Sequence, residues 1–64
     1  MCLLKVYVEG SSADRNLAAQ NVVLVHMEGR SVRLIDVESK EVTLNNVEPV
    51  LIDALNSILI LKKI

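Results

Sequence analysis

A cysteine at position 2 and a histidine at position 26 are each the only residue of their kind in this 64-residue sequence. A thiolate activated by an imidazole is one chemistry such a pair offers, but nothing in the spacing of Cys2 and His26 supports it. Position 2 offers another. Removal of Met1 before a small residue would expose a cysteine with a free α-amine, and amine and thiolate close a five-membered chelate ring on one metal ion. The amine titrates at about 8, close to the thiol, so a metal displaces both protons near neutral pH. Two such termini supply two nitrogens and two sulfurs, a set suited to square-planar Ni(II) or Cu(II), while thiolate also attracts zinc. Cys2 is therefore the candidate metal ligand. The set is completed either by His26 within one subunit or by a second Cys2 from another. The sequence has no G-x-G-x-x-G, no P-loop and no Cys-x-x-Cys, so no enzyme is expected.

The composition narrows the partners. Seven Lys and Arg stand against eight Asp and Glu, a net charge of −1. A surface that tracks phosphates needs an excess of clustered cations, so nucleic acid is not expected as a partner. Ten Val, ten Leu and five Ile accompany a single Tyr and no Phe or Trp. So apolar a chain folds rather than staying disordered. A domain of this size hides only about 60% of its unfolded surface, and the surplus aliphatics predict a homodimer. One cysteine cannot form an intramolecular disulfide, which favours the reducing cytoplasm. The opening MCLLKVYVEG is interrupted by Lys5 and Glu9 and does not read as a secretory signal. The longest apolar stretch, Val50 to Leu61, contains Asp53, Asn56 and Ser57 and is too short to span a membrane.

The elements that must position Cys2 are short strands. Turn-type clusters recur at Gly10-Ser11-Ser12, Gly29-Arg30, Glu38-Ser39-Lys40, Asn45-Asn46 and Asn56-Ser57. Between them lie aliphatic runs of strand length: Cys2–Glu9, Asn21–Glu28, Ser31–Val37, Glu41–Leu44, Val47–Leu55 and Ile58–Lys62. Asn16–Gln20 reads as a helical turn or a further short strand, and Pro49 as the opening or the edge of its strand. Residues 1–64 thus form one all-β domain, a small antiparallel barrel of six or seven short strands of the Sm/SH3-like kind, with little helix. A two-residue turn at Gly29-Arg30 sets Met27 against Val32 and Val25 against Leu34, with Val23 on the same side. His26 then faces Arg33, Leu24 faces Ile35 and Val22 faces Val37 on the other. A two-residue turn at Asn56-Ser57 would put Leu51, Leu55, Ile58 and Ile60 on one face, with Ile52, Ala54, Leu59 and Leu61 opposite. Both hairpins are apolar on two sides, as expected where one side fills a core and the other meets a second subunit. Val25, Leu34 and Leu44 are expected inside. The Arg33 cation beside His26 disfavours metal there, which leaves the second Cys2 as the better completing ligand. Asp53, an acid between Ile52 and Ala54, reads as an outward or turn-capping residue.

The opening MCLLKVYVEG resembles the start of the CooT family of small nickel-binding proteins, which begin Met-Cys followed by an aliphatic strand. VHMEGRSVRLIDV is similar to that family's hairpin, and IDALNSILIL resembles its closing strand, so the likeness runs along the whole chain. The sequence departs from the family at Leu34-Ile35-Asp36, where a threonine-leucine-phenylalanine stretch is expected. The resemblance implies an all-β homodimer that binds Ni(II) through Cys2 and acts as a metallochaperone toward a nickel enzyme such as carbon monoxide dehydrogenase or its maturation factors. Two other functions compete: a small Sm-like RNA-binding module, and a structural interaction protein with no metal role. Tyr7 as the only aromatic and the absence of a basic stripe weigh against RNA, although Arg30, Arg33, Lys62 and Lys63 are candidates to gather on one side.

Overall fold

Stiff β-branched side chains alternating with polar ones, cut by Gly, Asn and Ser, leave this chain few options besides short pleated strands. The computed structural model describes residues 3–12 and 14–64. Its strands are β1 (Leu4–Glu9), β2 (Arg15–Glu28), β3 (Ser31–Asp36), β4 (Glu41–Asn45), β5 (Val47–Asp53) and β6 (Ile58–Lys63). No helix occurs among the described residues, and so none is long and apolar enough to cross a membrane. The turns fall at the expected clusters. Gly29 (φ +59°), Ser39 (+67°), Asn46 (+59°) and Ser57 (+57°) supply the left-handed conformations that end the strands.

The strands form one mixed sheet in the order β4-β3-β2-β1-β6-β5. This corrects the expected antiparallel barrel on two counts. First, β1 and β6 pair in parallel, Lys5 with Ile58 through Glu9 with Lys62. Turn signals report only on strands joined by a hairpin, whereas this pair uses the whole intervening chain as its crossover. Second, no ladder closes the sheet into a barrel, because its edge strands β4 and β5 are consecutive in the chain and meet end to end at Asn46. The single residue between them leaves no turn in which β5 could fold back beside β4. The Val47 amide instead donates to the Arg30 carbonyl (3.1 Å) and the Ile64 amide to the Asn46 carbonyl (2.9 Å), which folds the β4–β5 corner over the rest of the sheet. Pro49 lies in β5, an edge strand, where its missing donor costs no ladder bond.

β2 is longer than its sequence signals suggest. Asn16–Gln20 is neither a helical turn nor a separate strand but the first half of a 14-residue β2, which pairs with β1 and then with β3. The β2–β3 register follows the two-residue turn: Met27–Val32, His26–Arg33, Val25–Leu34 and Leu24–Ile35. Beyond Leu24 it breaks. Asn21 adopts φ +56°, Val37 N donates to the Asn21 carbonyl (2.9 Å), and Val22 pairs with Asp36 rather than Val37. The bulge exchanges the expected sides, so Val22 is buried at 1% exposure while Val23 is 52% exposed. In the last hairpin the turn takes four residues, Ala54–Ser57, and Asp53 pairs with Ile58. The sidedness of Leu51 with Ile60 and of Ile52 with Leu59 survives, because the shift is an even number of residues. Leu55 and Ala54 leave the sheet for the turn.

The inner face of the curled sheet carries the core: Val6, Val8, Val22, Val32, Leu34, Val47, Leu59 and Leu61, with Val25 and Leu44 half-buried against it. Leu34, at 1% exposure, is among its largest members. Leu34→Ala should therefore cost about 2–5 kcal/mol, the usual range for a buried leucine cut back to its β-carbon. Urea unfolding followed by far-ultraviolet circular dichroism measures it. A loss below about 0.5 kcal/mol, the scale of a surface substitution, would place Leu34 outside the core.

Candidate functional site

Cys2, the candidate ligand, lies outside the described residues. The residues immediately after it are well anchored. Leu3 is half-buried, and Leu4, which opens β1, pairs with Val22 at the β2 bulge. Lys5 N donates to the Ser57 carbonyl (3.0 Å), and Lys5 lies beside Ile58 on β6. The start of β1 is therefore clamped between the bulge of β2 and the turn that opens β6.

The carboxylates nearest this point in the sheet register are engaged elsewhere. Asp36, the partner of Val22, accepts from Glu38 N (2.8 Å) and Lys40 N (2.9 Å) and closes the β3–β4 turn. Asp53, the partner of Ile58, accepts from Asn56 N (3.1 Å) and Asn56 Nδ2 (2.9 Å) across the β5–β6 turn. Of the two readings of Asp53, outward or turn-capping, its hydrogen bonds show the turn-capping one. The Asn56 side-chain amide, followed by the backbone amides of the turn, holds its carboxyl below the ordinary 3.8. Asp14 is likewise lowered, first by the Ser12 hydroxyl at 2.8 Å and then by turn backbone and Asn16.

His26 sits apart from β1, exposed on the outer face of the β2–β3 hairpin beside Arg33, as the register required. With Glu28, Ser31, Arg33 and Thr43 it lines a shallow cavity of about 340 Å³. The Arg33 guanidinium lies 3.7 Å from Glu41, which leaves that strip as an exposed polar surface. Among the described residues no group of three or more His, Cys, Asp and Glu is placed to hold a metal ion. Of the basic residues, Arg30 and Lys63 come to one corner, since Val47 bonds to the Arg30 carbonyl and pairs with Lys63. Arg33 points from the face of β3 instead. Tyr7 is half-buried in a second cavity with Arg15, Leu51, Asp53, Ile58 and Ile60. No local signal in the chain announces this second cavity, because it exists only where β1 meets β6.

No family model matches the chain, and no curated protein matches its sequence.

Because the folded Asp53 carboxyl titrates below its unfolded value, its contribution is fully present above the ordinary 3.8 and is lost as pH falls through the lower folded value. Asp53→Ala should lower the melting temperature at neutral pH. The gap to the parent protein should then close on acidification from about pH 5 to below pH 3. A gap that stays constant over that range would show that the charge of Asp53 does not support the turn.

Proposed function

We propose that this chain is a cytoplasmic nickel-handling protein: a homodimer that holds Ni(II) between two Cys2 termini and passes it to a nickel enzyme, of which carbon monoxide dehydrogenase is an example. One observation carries the reading. The start of β1 is held between the β2 bulge and the β5–β6 turn, and the two acids nearest it already accept turn hydrogen bonds. In this reading a second Cys2 supplies the other half of a four-coordinate site built on Cys2. The resemblance at Met1-Cys2 and along the later strands points the same way.

The chemistry is set by the donors. Once Met1 is removed, each Cys2 loses one proton from its thiol and one from its ammonium as it chelates the ion. Affinity therefore falls with falling pH. Thiolate and amine in one plane suit Ni(II) better than the tetrahedral preference of zinc. Nickel here is cargo, so few and exchangeable ligands at a chain end serve release better than an enclosed cage. The scaffold is the curled six-stranded sheet, with β5 drawn over β3 beside the Val47–Arg30 hydrogen bond. It holds Leu4 through its pairing with Val22.

Titration of protein freed of Met1 with Ni(II) under reducing conditions tests the proposal. A thiolate-to-nickel charge-transfer band should saturate at one metal per two chains. Cys2→Ser should abolish it, and His26→Ala should leave the stoichiometry unchanged. Saturation at one metal per chain, or loss of the band in His26→Ala alone, would overturn the shared site. Micromolar binding of single-stranded oligonucleotides that weakens steeply with salt and persists in Cys2→Ser would favour the RNA-binding alternative.

A further inference from the structure

The outer face of β2, β1, β6 and β5 carries an apolar row that the chain leaves half open. Residues paired on adjacent strands project to the same side. The register therefore lines up Leu17, Tyr7, Ile60 and Leu51 across four strands. Ile60 in the middle is 4% exposed, while Leu17 and Leu51 at the ends are 50% and 46% exposed. The neighbouring row reads Arg15, Glu9, Lys62, Glu48 in the same strand order. Its charges alternate plus, minus, plus, minus, and Arg15 Nε already lies 2.9 Å from Glu9 Oε2.

We propose that two copies of the chain meet through this face, about a twofold axis lying in the face between β1 and β6 and close to the strand direction. A homodimer contact of this kind presents one patch to itself. The axis lays each row on its own reverse. Arg15 then meets the partner subunit's Glu48, and Glu9 meets the partner subunit's Lys62. An alternating row of four is complementary to its own reverse, so every charged contact is between opposite signs. In the apolar row, Leu17 meets the partner's Leu51, while Ile60, already buried within its own chain, lies beneath the half-buried Tyr7 at the centre. Two twisted sheets packed face to face cross at about 30°, which such an axis accommodates. An axis across the strands gives contacts of mixed sign, Glu9 against the partner's Lys5 but Glu48 against the partner's Asp53, and so matches less well.

The arrangement has a consequence for the nickel reading, of which it uses the homodimer but not the metal. An axis along the strands makes the two copies of β1 run in the same direction. Each is one of the two strands beside the axis, so both copies of β1 start at the same end of the dimer. Their separation there is set by the sheet-to-sheet distance of about 10 Å.

Sedimentation equilibrium in the presence of a chelator tests the face apart from the metal. The parent protein and Cys2→Ser should both sediment at twice the 7.1 kDa of one chain. Arg15→Glu and Glu48→Lys should each weaken the dimer roughly tenfold, since the twofold axis counts every contact twice. Within one chain positions 15 and 48 stand three strand spacings apart, about 14 Å, so each is out of reach of the other. The double variant Arg15→Glu/Glu48→Lys should therefore regain the parent mass only if the two positions meet between subunits. Glu38→Lys, in the β3–β4 turn, should leave the mass unchanged. Circular dichroism of each variant checks that the sheet is intact; the side chains of Arg15, Glu38 and Glu48 are exposed. A monomeric parent, single reversals without effect, a double variant no better than the singles, or dissociation by Glu38→Lys would each overturn the face. A dimer that behaves as expected but takes up no nickel would sink the metal reading alone.

Discussion

The parallel pairing of β1 with β6 is the contact on which the other features rest. It joins the first strand to the last over five register pairs, from Lys5–Ile58 to Glu9–Lys62. On its inner side it sets Val6 beside Leu59 and Val8 beside Leu61, four of the buried core residues. On its outer side it sets Tyr7 beside Ile60. Without it the sheet would separate into a β1-β2-β3-β4 meander and a β5–β6 hairpin, and an isolated two-stranded hairpin is marginal in water. Among the strand pairs it closes the longest loop, nearly the whole chain, and so carries the largest closure entropy.

Two departures from regular strands make the curled shape possible. The bulge at Asn21 lets β2 serve two partners in succession, and the kink at Asn46 turns β4 into β5 without a loop. Both use asparagine, which tolerates the left-handed conformation better than other residues with a β-carbon. The bulge also decides which of two adjacent valines is interior. Val22 enters the core and Val23 is turned out, a swap that one unpaired residue causes because side chains alternate with a period of two. The sheet curls far enough to bury one face and not far enough to hide the other.

That second face connects fold and function. A chain this short has little interior for its aliphatics, and stable domains of this size usually add a staple or a partner. Here the same strands that fix the start of β1 carry the apolar row and the alternating charges beside it. Under the proposed function and the proposed dimer, the start of β1 and the contact with another copy both belong to one piece of sheet. The polar strip around His26 lies at the other end of β2, beside β3. Its cation and carboxylates satisfy one another in solvent, as Arg33 and Glu41 do.

Much of this was legible in the residues themselves. Turn chemistry at Gly29-Arg30 set the β2–β3 register as far as Leu24, placing Leu34 inside and His26 beside Arg33, because a tight hairpin leaves no freedom in its pairing. The capping role of Asp53 was one of its two readings, since a short acid three residues before Asn56 can reach the turn's backbone. The candidate ligand Cys2 came from its position and chemistry alone and lies outside the residues the structure describes. What the sequence could not announce were the relations between distant segments: the partner of β1, the bulge that reverses Val22 and Val23, and the meeting of the sheet's two edges at Asn46. Local propensity and periodicity carry information over a few residues, whereas these features are chosen by which long-range pairing buries the most aliphatic surface with its backbone hydrogen bonds satisfied. The alternating row Arg15, Glu9, Lys62, Glu48 belongs to the same class. Its four residues come from four strands, and only the folded sheet puts them in order.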